Sequence, residues 1–175
     1  MSGAEFEASA KSAAPTPSRR SLARLAAAQA LYQIELTGTP PGTVIAEFTT
    51  YRLGKEIDGE RYADADRRFF TELVGSACER REDIDGMIAS ALPAEWPLDR
   101  LETVLRAILR LGTCELLLRN DVPARVIITE YLEIAHAFFE GKEPGMVNGV
   151  LDRIARVLRP QELRGSGNDG GTQAR

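Results

Sequence analysis

The sequence predicts an all-α fold, a bundle of antiparallel neighbours joined by short loops. Three observations predict it. Apolar residues recur three or four positions apart through most of the chain, the spacing of the buried stripe of a helix. No segment alternates apolar and polar residues as a half-buried strand does. Prolines cluster between the stripes, at Pro40-Pro41, Pro93, Pro97, Pro123 and Pro160, where they read as breaks.

The first helix follows Pro17 and Ser18 and carries Leu25, Ala28, Tyr32 and Leu36 before Gly38 and Pro40-Pro41 stop it. Arg19, Arg20 and Arg24 crowd its first turns, against a macrodipole that favours acids there. They are either a solvated helix start or a set of contacts for an anionic ligand. Thr43 caps a short helix through about Leu53 with Val44, Ile45 and Phe48 inward, and a polar loop with Gly54 and Gly59 follows. Asp64 then opens a long helix to Leu92, its stripe running from Phe69, Phe70, Leu73 and Val74 to Ile84 and Ile88, with a bend expected near Gly75 or Gly86.

Pro93 and Pro97 bracket Trp96 in a connector, and Asp99 starts the next helix, which ends near Asn120. Leu101, Val104, Leu105, Ile108, Leu109, Leu111, Leu116 and Leu117 cover more than half of its circumference, which predicts a central position. Glu102 with Arg106 and Glu115 with Arg119 stand at i,i+4, acid first, and are expected to pair. Pro123 begins a helix whose stripe of Val126, Ile127, Tyr131, Ile134, Ala135 and Phe138 runs to Gly141. The last helix spans about 146 to 158 on Val147, Val150, Leu151, Ile154 and Leu158, and Pro160 ends it. The folded unit is placed at 19 to 163, between a disordered arm at 1 to 18 and a disordered tail at 164 to 175 too poor in apolar residues to offset ordering entropy.

No apolar run approaches the roughly 20 residues of a membrane span, and the N-terminus lacks the apolar core of a signal peptide, so no membrane partner and a cytoplasmic location are expected. Cys78 and Cys114 lie within apolar helical patterns and read as buried thiols rather than a disulfide or metal site. His136 is the single histidine, with no nucleophile or orienting acid in a recognisable motif beside it, and no Gly-rich loop follows a strand. No catalytic residue, metal site or cofactor is therefore predicted, and the chain does not read as an enzyme. The net charge of −4 argues against a nucleic-acid partner until its distribution is considered. Acids outnumber bases 13 to 7 between residues 35 and 95, whereas Lys11 to Ile34 contains no acid at all.

Several separated motifs then occur in one order. An Arg-rich helix ends Gln29-Ala30-Leu31-Tyr32. Val104-Leu105-Arg106 leads to Glu115-Leu116, and Asp121-Val122-Pro123 precedes Ile128-Thr129-Glu130 with Ala135. The run Val147-Asn148-Gly149-Val150-Leu151-Asp152 comes last. Over roughly 19 to 160 this order resembles the NusB family of bacterial transcription antitermination factors. The resemblance implies a single all-α domain of about six to seven helices in two packed bundle subdomains. It also implies binding of the boxA element of ribosomal RNA transcripts together with NusE, a small-subunit ribosomal protein, within the RNA polymerase antitermination complex. Where the family shows Ile-Asn-Glu this chain has Ile128-Thr129-Glu130. His136 replaces a common lysine, and Glu143-Pro144-Gly145-Met146 replaces a turn that ends in a basic-aromatic pair, so an aromatic for base stacking is missing there.

Arg19, Arg20 and Arg24 become the expected RNA contacts, with Gln29 one turn on able to hydrogen-bond a base edge or simply to sit at a helix surface. Arg106 and Arg110 lie one turn apart, and Arg110 is expected to be the freer and to reach RNA while the other pairs internally. Lys142 and Met146 are candidates at the turn before the last helix. Tyr32 is either core or, as the resemblance implies, a contact for NusE, and Glu102 either pairs with Arg106 or faces the basic NusE. Asn148 reads as a local backbone partner and Gly149 as a site of close helix packing. Two alternatives stand beside this assignment. One is a helical interaction module that forms homodimers and binds no RNA. The other is a NusB-like RNA-targeting module related to rRNA methyltransferases, for whose catalytic domain 175 residues leave no room.

Overall fold

The structure, a computed structural model, describes residues 17–54, 56, 57, 60, 61 and 65–164. Among them, eight α-helices carry the fold: α1 Arg19–Thr37, α2 Pro41–Glu47, α3 Arg67–Glu79, α4 Arg81–Ala91, α5 Thr103–Leu118, α6 Ala124–Phe138, α7 Glu143–Leu158 and α8 Pro160–Leu163. The all-α expectation holds. A two-residue antiparallel pairing, β1 Glu56–Ile57 with β2 Glu60–Arg61, sits in the polar segment expected to be a loop and is too short to show alternation. The disordered arm and tail expected at the two ends fall almost entirely outside the described residues, as does Asp64.

Helix boundaries follow local chemistry. Ser18 caps α1, its Oγ accepting from the Ser21 amide at 3.0 Å, and Gly38 closes the helix in the left-handed region at φ 68°. Asp66 caps α3 by accepting from the Phe69 amide at 3.0 Å, and its own amide donates to the Arg19 carbonyl at 3.1 Å, which ties the starts of α1 and α3 together. The long helix expected from Asp64 to Leu92 is in fact two. The chain turns at Arg80, with φ −101° and ψ 23°, while Gly75 and Gly86 both remain helical. The apolar period runs across the break because α3 and α4 both pack on α5, so periodicity alone does not reveal it. Thr43 lies inside α2 rather than capping it, and α2 passes into a π-helical turn at Phe48–Arg52. Asp99 belongs to a 3₁₀ turn, Leu98–Arg100, that precedes α5.

Helix α5 is central, as its apolar circumference predicts, and Leu105 and Ala107 through Leu116 are buried in it. Helices α1, α2 and α3 pack on one another, α6 and α4 each pack on α7, and α5 touches members of both groups. Gly112 of α5 packs closely against α7 and α6: a Cβ there would stand 2.8 Å from Leu151 Cδ1 and 3.2 Å from Tyr131 Cδ2. Gly149, expected to be the close-packing glycine, has nothing within 4 Å of a Cβ.

Pro160 does not merely end α7; it opens α8, and the residues around it serve other helix ends. Arg159, 5% exposed, donates to the carbonyls of Glu115, Leu116, Arg119 and Val122, and so closes the C-terminal end of α5 with a cation where the helix dipole favours one. Glu162 accepts from the Ala124 amide at 2.7 Å and caps the start of α6.

Candidate nucleic-acid interface

The three arginines grouped together in the sequence part company in the structure. Arg19 is exposed. Arg20 lies over the Phe69 ring at 5.0 Å and reaches Asp121 at 3.5 Å, with 40% of its side chain still exposed. Arg24 turns inward. Its Nε and Nη2 donate to the two carboxylate oxygens of Glu115, both at 2.8 Å, and the residue is 2% exposed. One helical turn thus separates cations open to solvent from one engaged in the core.

Glu115 is fully buried and also accepts the Tyr131 hydroxyl, while Glu130 lies 3.6 Å from Arg24 and accepts from Ser21 Oγ at 3.0 Å. This network joins α1, α5 and α6, and its members include Glu115 and Glu130 of the motifs that carry the family resemblance. Burial alone lowers the Arg24 pKa, but the Glu115 carboxylate outweighs it and holds the guanidinium above its ordinary value. Burial, reinforced by the Glu115 charge, pushes the Tyr131 phenol well up. The expected Glu115–Arg119 pair does not form: Glu115 faces the core, and Arg119 meets Glu72 at 3.2 Å and Asp121 at 3.1 Å.

Arg110 is the second candidate that the fold places inside. It is 8% exposed, with Nε on Asp85 at 2.7 Å and Nη1 on Glu35 at 3.0 Å. Arg106 shares Glu35 and also donates to the Leu101 carbonyl, so both arginines are engaged and Arg110 is not the freer of the two. Glu102 is consequently not paired with Arg106. It lies exposed at the start of α5, outside every ion pair among the described residues.

Gln29 and Tyr32 share an open groove of about 820 Å³, lined also by Leu36, Phe48, Arg52, Val104 and Phe138. Tyr32 is 39% exposed, so its ring forms part of a surface rather than the core. Lys142 and Met146 meet in a separate, shallower cavity at the start of α7. Trp96 and Arg153 line the same cavity, and neither stood out in the sequence, where Trp96 was one residue of a proline-bracketed connector. Only the fold brings that connector to α7.

His136 is exposed, and no group of three or more His, Cys, Asp or Glu residues among the described residues is placed to hold a metal. No helix among them is long and apolar enough to cross a membrane. Cys114 is buried and Cys78 half-buried, both as free thiols. The fold and its surfaces thus define an all-helical binding protein, with exposed cations at the start of one helix and an apolar groove along it.

The model of the NusB family matches residues 21–156, and the chain belongs to that family. It is 53% identical over 146 residues to the transcription antitermination protein NusB of Sinorhizobium fredii, covering 83% of this chain and 91% of the relative. It is 51% identical over 151 residues to the protein of the same name from Brucella suis, covering 86% and 88%. Among solved structures, T. maritima NusB is similar with a TM-score of 0.65 at 34% identity, over 82% of this chain and 93% of the other. A structure of antitermination factors NusB and NusE in complex with double-stranded RNA is similar with a TM-score of 0.66 at 30% identity, over 79% and 97%.

Proposed function

We propose that this chain is a transcription antitermination factor that binds boxA RNA of ribosomal RNA transcripts as a heterodimer with NusE, within the RNA polymerase antitermination complex in the cytoplasm. One observation carries the reading: α1 begins with exposed Arg19 and half-exposed Arg20 in an acid-free stretch, and its further face presents Gln29 and Tyr32 in an open groove. Cations at the helix start suit phosphates, and a groove with an exposed tyrosine suits a protein partner. The family relationship and the similarity to a NusB–NusE–RNA structure support it.

The interface takes its RNA contacts from Arg19, Arg20, Gln29, Lys142 and Met146, with Tyr32 and Glu102 facing NusE. Arg24 and Arg110 are assigned to holding helices together, because each is engaged with buried or half-buried carboxylates. Three phosphate contacts, from Arg19, Arg20 and Lys142, give a shallow salt dependence, with a slope of log affinity against log salt of about −2.1 on single-stranded RNA. A partner that enlarges the basic surface is then required for tight binding.

The test is a titration of boxA RNA with the chain alone, NusE alone and both, across a salt series. The mixture is expected to bind far more tightly than either component and to prefer boxA over a scrambled RNA. Equal binding of both RNAs, with no gain from the mixture, contradicts the proposal. Tyr32→Ala is expected to remove the gain from NusE while leaving binding by the chain alone unchanged.

A further inference from the structure

The cavity at the start of α7 carries an inference beyond the proposed interface. It measures about 190 Å³ and is lined by Trp96, Lys142, Met146, Gly149 and Arg153 among others. That is smaller than a site for a drug-sized ligand, which starts near 300 Å³, and suits a single flat ring system. Trp96 is 39% exposed and is held in place by its backbone, its amide donating to the Pro93 carbonyl at 2.9 Å with Pro97 following directly. A rigid, half-open indole offers a stacking face at little entropic cost.

The cavity's charge is uncommitted. Lys142 and Arg153 are exposed, and among the described residues neither lies in an ion pair. Arg153 is positioned by donating Nη1 to the Ala91 carbonyl at 2.7 Å, and among the described residues its other guanidinium nitrogens have no hydrogen-bond partner. The nearby acid, Glu143, lines the same cavity, but its Oε2 folds back to within 2.8 Å of the Cβ position at Gly141 rather than onto Lys142. A Cβ at Gly145 or Gly149, both of which line the cavity, would meet nothing within 4 Å, so neither position is tightly packed.

We infer that Trp96, Lys142 and Arg153 form a nucleotide subsite for single-stranded RNA, in which one base stacks on the indole and the flanking phosphates meet the two cations. Trp96 thereby supplies, from the connector before α5, the aromatic that the Glu143-to-Met146 turn lacks, and Met146 packs at the base's edge. The subsite lies a short way along the chain from the groove of Gln29 and Tyr32. Phe138 lines that groove, and Lys142 follows four residues later, a reach of at most about 14 Å along the chain. The inference rests on the RNA-binding reading above and adds its register on the protein.

Trp96 is the single tryptophan of the chain, so its fluorescence reports on this subsite alone. The full chain with NusE is titrated with fluorophore-labelled boxA RNA while anisotropy and tryptophan emission are followed together, with Trp96→Phe providing the background. Emission is expected to quench in step with the anisotropy rise. Trp96→Ala is expected to weaken RNA binding about 5- to 150-fold, the range for loss of one stacked base, with Trp96→Phe close to wild type. Lys142→Ala and Arg153→Ala are each expected to flatten the salt slope by about 0.7 without changing the urea midpoint. RNA binding with unmoved emission and with unchanged affinity in Trp96→Ala overturns the subsite and leaves the RNA-binding reading intact. Absence of any anisotropy change overturns both.

Discussion

Arg24→Ala separates the two kinds of arginine at the start of α1. The Arg24 side chain is 3% exposed and that of Glu115 is fully buried, so removing the guanidinium strands a carboxylate away from water with the Tyr131 hydroxyl as its remaining described partner. Loss of one member of such a pair costs about 3–5 kcal/mol, against a total stability of about 5–15 kcal/mol for a domain. Arg20→Ala removes a cation from a pair whose side chains are 40% and 56% exposed at 3.5 Å, which contributes at most about 1 kcal/mol. With a urea dependence of about 2 kcal/mol per molar, the midpoint should fall by roughly 2 M for Arg24→Ala and by no more than about 0.5 M for Arg20→Ala. Replacing both partners by leucine should recover a large part of the loss, because no charge is then stranded. RNA affinity gives the mirror image. The Arg19→Ala, Arg20→Ala double variant should move its midpoint far less than Arg24→Ala does and flatten the salt slope by about 1.4. Equal urea shifts for Arg24→Ala and Arg20→Ala would refute the assignment of Arg24 to the core.

Three further outcomes follow from the packing. Gly112→Ala should destabilise by about 1–2 kcal/mol, since its Cβ meets Leu151 at 2.8 Å inside the core, whereas Gly149→Ala should stabilise by about 0.5–1 kcal/mol because the space there is open; urea midpoints of the pair should move in opposite directions. Arg159→Lys should cost about 3 kcal/mol or more, because one ammonium cannot serve four carbonyls at the end of α5, and thermal unfolding would expose an error if the transition stayed put. Alkaline pH should destabilise the fold. Burial pushes the Cys114 thiol up to about 12 and the Tyr131 phenol well above its usual range, so the unfolded chain releases both protons first. Stability is then fully present below about pH 8.5 and falls by roughly 1.4 kcal/mol per pH unit for each group, Cys114 first and Tyr131 joining above about pH 10. Cys114→Ala should shrink the first limb to what the half-buried Cys78 thiol, also pushed up by burial, contributes, and urea midpoints at about pH 8 and about pH 10 read it.

Much of this architecture is written in local spacing. A stripe of leucines around more than half of α5 can only be buried at the centre of the bundle, and the first helix had to end at Gly38 and Pro40 because neither residue suits a helix interior. The family, too, is legible from separated motifs, whereas the sequence leaves Tyr32 open between core and surface, and the fold puts it at the surface. Periodicity could not reveal the break at Arg80, since both halves of the stripe face α5, nor α8, which is too short to show a period.

What only the tertiary structure decided is which charges are free. Sequence sees Arg24 beside Arg20, Arg110 beside Arg106 and Glu115 four residues before Arg119. Their partners, Glu115, Asp85 and Glu35, and Arg24 again, come from other helices. Ion pairing depends on distance in space and on access to water, and neither is encoded in neighbourhood along the chain. The same reason hid Trp96. A tryptophan in a connector acquires a role only when packing carries it to Lys142 and Arg153 at the start of α7. The sequence by itself thus determined the helices, their buried faces and the family. Tertiary contacts determined which polar residues hold the helices together and which remain open to a ligand.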